Sequence, residues 1–158
     1  MCRGDVPKKD CSTCVNKAMK DIQVHFPYNK AAIIWYDNCL LKYSDHLFFG
    51  KMDNQNTYIM LNHQNVKKDP AIFDKKVAML LAQLASKVSQ TATLYESGNI
   101  NLDKSKKIYW LAQCALYLSN KDCEKCIEYS ISTLQRVSHA KQGARIFIGG
   151  SCNIRYET

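Results

Sequence analysis

Eight cysteines are the side chains in this 158-residue sequence whose type and spacing most plainly point to chemistry. They fall as Cys2, Cys11, Cys14 and Cys39, then as Cys114, Cys123, Cys126 and Cys152. Each set reads C-x8-C-x2-C, and the fourth cysteine follows after 24 residues in the first set and 25 in the second. The chain therefore carries an internal repeat. Three chemistries compete for such a pattern. Disulfides would reinforce a small core. The two C-x2-C pairs, Cys11, Cys14, Cys123 and Cys126, could form a tetrahedral zinc site. A C-x-x-C at a helix start could be a redox pair. Zinc on the middle pairs leaves four cysteines without a role, and a redox pair needs no partner on a distant hairpin. Disulfides use all eight, two per unit, and are the expectation. Stoichiometric zinc or free thiols in purified protein would mark the other two.

The elements that position these cysteines also repeat. Small or apolar residues at 11, 14, 15, 18, 19 and 22 recur at 123, 126, 127, 130, 131 and 134. That spacing is one face of an α-helix, so each C-x2-C sits in a first turn with both sulfurs inward. Asp10 and Asp122 are the expected N-caps. A hairpin follows each helix. The first runs Ile33–Tyr36, turns at Asp37-Asn38 and returns from Cys39; the second runs Ile146–Ile148, turns at Gly149-Gly150-Ser151 and returns from Cys152. Both return strands read C-x-(Leu/Ile)-(Lys/Arg)-Tyr. Between the repeats, Phe73, Val77, Leu80, Leu81, Leu84 and Val88 form the core stripe of one long helix, capped by Asp69 with Pro70 at its first position. Tyr58–Leu61, Thr91–Tyr95 and Ile108–Ala112 read as strands, the last two joined by a turn at Ser97-Gly98-Asn99.

Apolar residues make up 46% and charged residues 23%, which fits a globular chain. The net charge of +8 is spread out, densest at Lys67-Lys68, Lys75-Lys76 and Lys104/Lys106/Lys107. It reads as a solvated surface, and no nucleic-acid motif accompanies it, so no nucleic-acid partner is expected. No apolar run is long enough to cross a membrane. Met1–Asp5 has no apolar core, so no secretory signal is expected, which sits uneasily with disulfides. The four histidines lack metal-ligand spacing, Arg3-Gly4-Asp5 reads as a turn, and no nucleophile–base pair is readable. No metal, cofactor or enzymatic activity is expected.

The doubled C-x8-C-x2-C, with Ala32-Ile33-Ile34-Trp35-Tyr36-Asp37-Asn38-Cys39 in one half and Gly143-Ala144-Arg145 … Ser151-Cys152-Asn153-Ile154-Arg155-Tyr156-Glu157 in the other, resembles the plant stress-antifungal (ginkbilobin-homologous) domain. Such domains occur in tandem in cysteine-rich receptor-like kinase ectodomains and in cysteine-rich repeat secretory proteins. The resemblance implies an α+β fold: an antiparallel sheet of about five strands with two helices packed on one face. It implies residues 50–158 as a complete second domain, and residues 1–49 as the C-terminal part of a first, incomplete copy. It implies the bridges Cys2–Cys11, Cys14–Cys39, Cys114–Cys123 and Cys126–Cys152. The family's third bridge per domain is absent, and no kinase motif is present.

The resemblance also implies a non-catalytic, extracellular recognition module in plant defence. In the ginkgo-seed member, mannose is bound by an Asn, an Arg and a Glu. Arg145 and Glu157 match the latter two, and Gln64 or Asn65 are the candidates for the first. A guanidinium donates to sugar hydroxyls and a carboxylate accepts from them. In the first repeat the equivalent places are Ala32 or Ile33 and Ser44, so no site is expected there. A two-residue loop at Gly149-Gly150 would put Arg145 and Glu157 on opposite faces; a three-residue loop through Ser151 would put them on one. The plainer reading makes both ordinary surface charges. The alternative function is a protein-interaction module of a receptor ectodomain or secreted protein, without sugar binding.

Overall fold

A computed structural model describes residues 1–103 and 105–158; Lys104, one of the lysines in the charged cluster noted above, lies outside the described residues. The chain runs α1 (Lys8–His25), β1 (Ala31–Trp35), β2 (Leu40–Ser44), β3 (Thr57–Leu61), α2 (Pro70–Ala82), α3 (Leu84–Gln90), β4 (Tyr95–Asn101), β5 (Lys107–Cys114), α4 (Asn120–Val137), β6 (Gly143–Ile148) and β7 (Cys152–Glu157). The fold is α+β. Five strands form an antiparallel sheet in the order β3-β6-β7-β5-β4, and β1 and β2 form a separate two-stranded sheet.

Alternation along the strands of the large sheet sends Ile108, Ala112, Ile146, Ile148, Ile154 and Tyr156 to one face, where α2, α3 and α4 cover them with Phe73, Leu81, Leu84, Val88, Ile127 and Leu134. Burying each such large side chain contributes about 1.5–3 kcal/mol. The expected long helix is two. Gln83 interrupts it with a tight Gln83 N–H to Leu80 C=O bond, and the apolar stripe continues across the break. Asp69 does not cap α2 through its side chain. Its backbone is left-handed, φ 48°, a conformation that aspartate adopts more readily than most residues. Ser119, not Asp122, is the N-cap of α4, and its hydroxyl accepts from the Asp122 amide. Asp10 lies within α1, whose N-cap position is Pro7.

A further correction concerns Ser97-Gly98-Asn99. These residues are mid-strand in β4, the reversal comes between Leu102 and Lys106, and Thr91–Leu94 is a turn. Gly98 faces Trp110 across the ladder, and a Cβ there would meet the indole at 2.7 Å. The glycine makes room for a large neighbour and does not reverse the chain.

The disulfides are Cys2–Cys11, Cys14–Cys39, Cys114–Cys123 and Cys126–Cys152, with Cα separations of 5.6, 6.0, 5.6 and 6.1 Å. In each repeat they tie the first turn of a helix to the segment before it and, contrary to the expectation of a single turn, its second turn to the return side of the hairpin. All eight cysteines are consumed, so none is left as a zinc ligand or redox thiol.

The other face of the large sheet is partly covered. Residues directly opposite each other in antiparallel strands share a face. The register therefore lays three rows across it: Tyr95, Gln113, Asn153, Phe147, Tyr58; then Ser97, Leu111, Arg155, Arg145, Met60; then Asn99, Tyr109, Glu157, Gly143. Residues 1–49 cover the first row. Trp35, at the end of β1, lies against Tyr58 and Phe147 with ring centroids 6.1 and 5.5 Å away. The Gln113 amide donates to the Cys2 carbonyl at 2.9 Å. Gly4 lies so close to Tyr95 that a Cβ would meet the ring at 2.3 Å, which is why Arg3-Gly4-Asp5 is a turn pressed onto the sheet. Phe48 and Phe49 pack on Tyr117.

Lys42 of β2 closes the seam. Its ammonium donates to Asp53 and to the Gly149 carbonyl, both at 3.0 Å. Gly149 has φ +49°, and a Cβ there would strike Asp53 at 2.3 Å, so the loop of the second hairpin fits only as glycine. Burial works against the Asp53 carboxylate, but hydrogen bonds from Lys42, Asn56 and the Gln55 amide outweigh it and hold its pKa below the ordinary 3.8. The unfolded chain keeps the ordinary value. The stabilisation is thus fully present above pH 3.8 and is lost as pH falls through the lower folded pKa. Stability measured by denaturant titration should fall with acid over that window in the parent protein, and less steeply in Asp53→Asn.

Within residues 1–49 the buried apolar side chains are Ala18, Ile22 and Cys39. One helix and one hairpin around so small a core should not fold alone. An oxidised peptide of residues 1–49 is expected to melt without a cooperative transition; a sharp calorimetric peak would refute this.

Candidate functional site: a polar groove on the open sheet face

The outer two rows of the large sheet stay accessible. The β6–β7 loop has three residues, with Ile148 opposite Cys152, so Arg145 lies opposite Arg155 and shares its face with Glu157. Glu157 is two positions beyond Arg155, about 7 Å along the strand. It sits opposite Gly143, where a Cβ would meet its Cγ at 2.5 Å, so the glycine gives the carboxylate room to lean across β6.

These residues line a groove of about 390 Å³ together with Met60, Asn62 and Asp37. Arg155 donates to Glu157. Arg145 stacks over the Phe147 ring, 4.2 Å from its centroid, and donates to Asp37 at 3.0 Å. Arg155 is a second, longer neighbour of Asp37 at 3.9 Å. The two guanidiniums and two carboxylates therefore alternate along one line. Burial and the adjacent Arg155 push the Arg145 guanidinium down from its ordinary pKa, with Asp37 partly offsetting them. The Arg145 side chain is only 11% exposed, against 46% for Glu157. Its Nε is buried without a partner among the described residues.

Gln64 is not brought to this groove. It lines a separate cleft with Val66, Lys67, Asp69 and Thr158, and its backbone carbonyl accepts from the Gln142 backbone N–H at 3.1 Å. Asn65 forms a bridge with Lys141. The side-chain amide at the groove is Asn62, whose backbone N–H donates to the Gly143 carbonyl at 2.8 Å. Extending the strand Tyr58–Leu61 by one residue was the signal that could have found it. Arg155 was also visible, since the repeated C-x-(Leu/Ile)-(Lys/Arg)-Tyr pattern and a three-residue loop place it beside Arg145. Asp37 carried no signal, because its contact depends on how the first hairpin docks. In the first repeat, Ile33 and Ser44 hold the register positions of Arg145 and Glu157, so the polar set is not duplicated.

The groove offers hydrogen-bond donors and acceptors in alternation across the interior strands β6 and β7. No cluster of three or more metal-ligating side chains exists among the described residues, and no helix of the described residues is long and apolar enough to cross a membrane.

Comparison with known proteins agrees with this architecture. The chain is 49% identical over 157 residues to an antimicrobial ginkbilobin-2-like protein of Castanea crenata, covering 99% of this chain and 64% of that protein. It is 40% identical over 159 residues to the cysteine-rich repeat secretory protein 38 of Arabidopsis thaliana, covering 99% and 62%. The chain thus spans a little over three fifths of these relatives' length. Among solved structures, the tandem DUF26 ectodomain of the Arabidopsis thaliana cysteine-rich receptor-like protein PDLP8 superposes with a TM-score of 0.82 at 25% identity, over 99% of this chain and 71% of that one. The corresponding ectodomain of PDLP5 has the same fold, with a TM-score of 0.78. The model of the salt stress response/antifungal family matches residues 1–46 and 60–158, and with the paired disulfides and the shared fold it establishes that this chain belongs to that family.

Proposed function

We propose that the protein is a non-catalytic, extracellular recognition module of plant defence or stress signalling, and that it binds a mannose-type glycan in the groove at Arg145, Arg155 and Glu157. Four disulfides need an oxidising compartment, which supports the extracellular setting, and the secretory names of the relatives point the same way. Residues 50–158 are the unit that carries Arg145, Arg155 and Glu157, and residues 1–49 are the unit that docks on it and adds Asp37 to the groove. The observation that supports the glycan reading best is the three-residue loop. It sets the guanidiniums and the Glu157 carboxylate on one open face, where hydroxyls could accept from the former and donate to the latter.

A second reading is a protein-interaction module without sugar binding. The pairing of Arg145 with Asp37 favours it, because that guanidinium already has an internal partner.

Glycan binding by the oxidised protein separates the two. Mannose-selective binding should weaken at least about tenfold in both Arg145→Ala and Glu157→Ala, the loss expected from one charged hydrogen bond. Undiminished binding in Arg145→Ala would remove that residue from the site. Absence of binding by the parent protein, with all four disulfides verified, would favour the protein-interaction reading.

A further inference from the structure

The groove does not end at Glu157. On the far side of the Arg155–Glu157 pair, a second depression of about 400 Å³ opens over β5 and β4, lined by Ser97, Asn99, Tyr109 and the Arg3–Asp5 turn. Arg155 and Glu157 line both depressions, so the pair is the shared wall of one continuous surface. Tyr109 lies opposite Glu157 on one side and Asn99 on the other, and it is 56% exposed. With strands about 4.8 Å apart, the row from Gly143 to Asn99 covers about 14 Å, more than one hexose ring spans.

The charges balance within each half. Arg145 and Arg155 face Asp37 and Glu157 in the first; Arg3 and Arg155 face Asp5 and Glu157 in the second. Arg3 holds Asp5 at 2.5 Å, which lowers the Asp5 pKa and keeps the pair charged. A groove with no net charge has no excess attraction for a polyanion. Its alternating donors and acceptors suit neutral hydroxyls, and an exposed tyrosine face suits the C–H face of a sugar ring.

We infer that the groove holds a neutral oligosaccharide of at least two hexose units, one on each side of the Arg155–Glu157 pair, with Tyr109 as the platform for the second. This rests on the glycan reading of the first half. The second half is built by both parts of the chain, since Arg3 and Asp5 come from the docked N-terminal segment and Asn99 and Tyr109 from the large sheet. Docking of residues 1–49 therefore completes the site as well as covering the sheet.

The test is calorimetric titration of the oxidised full chain with mannose, a β-1,4-linked mannotriose and trigalacturonate. The trisaccharide should bind about tenfold tighter than mannose, as one good aromatic contact would provide. Tyr109→Ala should bring the ratio of mannotriose to mannose affinity from about ten down to about one, and Tyr109→Phe should keep it. Equal affinity for mannose and mannotriose, or equal weakening of both by Tyr109→Ala, would overturn the extended site while the single-sugar reading stands. Preference for trigalacturonate would overturn the neutrality of the ligand. Failure of every saccharide to bind would overturn the glycan reading, and the extension with it.

Discussion

Trp35 lies against Tyr58 and Phe147, and much of this molecule follows from that contact. The five-stranded sheet has helices on one face only, and a row on its other face has Phe147 beside Tyr58 at one end and Tyr95 at the other, with Gln113 and Asn153 between. Aromatic rings at both ends of the row would be a liability if left in water. Residues 1–49 have the complementary problem: one helix and one hairpin with almost no core of their own. Docking solves both. The indole covers Tyr58 and Phe147, the Lys42–Asp53–Gly149 contacts join β2 to the loop of the second hairpin, and the N-terminal turn closes over Tyr95. What remains open is the polar margin of the sheet, and it is open because the docked segment stops at Asp37 and Asp5.

The two repeats show how one covalent plan serves two tasks. Both kinds of bridge, helix to preceding segment and helix to hairpin, recur with nearly the same Cα spacings, each worth about 2–4 kcal/mol. Yet the hairpins differ where they meet. The first turns tightly at Asp37-Asn38 and offers a carboxylate. The second adds one residue and uses two glycines with positive φ, which admits Asp53 and Lys42. That extra residue also sets the register that joins Arg145, Arg155 and Glu157. A single insertion thus shapes both the seam between the repeats and the face of the candidate site.

Much of this was legible in the sequence, where local periodicity and duplicated spacing carried it. The helix faces of α1 and α4, both hairpins and the strand at 58–61 could be read directly, and the family resemblance supplied the disulfide partners. The misreadings share one cause. Gly98 looks like a turn signal until Trp110 is seen opposite it. Asp69 looks like a cap until its left-handed backbone is seen, with no side-chain bond to the helix. Gln64 looks like the missing amide until the register places Asn62 at the groove. Each depends on a partner distant in sequence or on backbone geometry that residue type alone does not reveal. The pairing of Arg145 with Asp37 is the extreme case, since 108 positions separate the two residues and only docking brings them together.

The docking of the first hairpin on the open sheet face is the premise beneath both the fold and the groove, and a double-mutant cycle on Trp35 and Phe147 tests it most directly. Unfolding free energies of the parent, Trp35→Ala, Phe147→Ala and the double variant would be measured by denaturant titration of the oxidised protein. If the indole rests on Phe147, the two losses are non-additive, with a coupling of about 0.5–1.5 kcal/mol, as for other aromatic pairs in contact. Strict additivity would mean that the side chains do not touch in solution, and would contradict the docked arrangement.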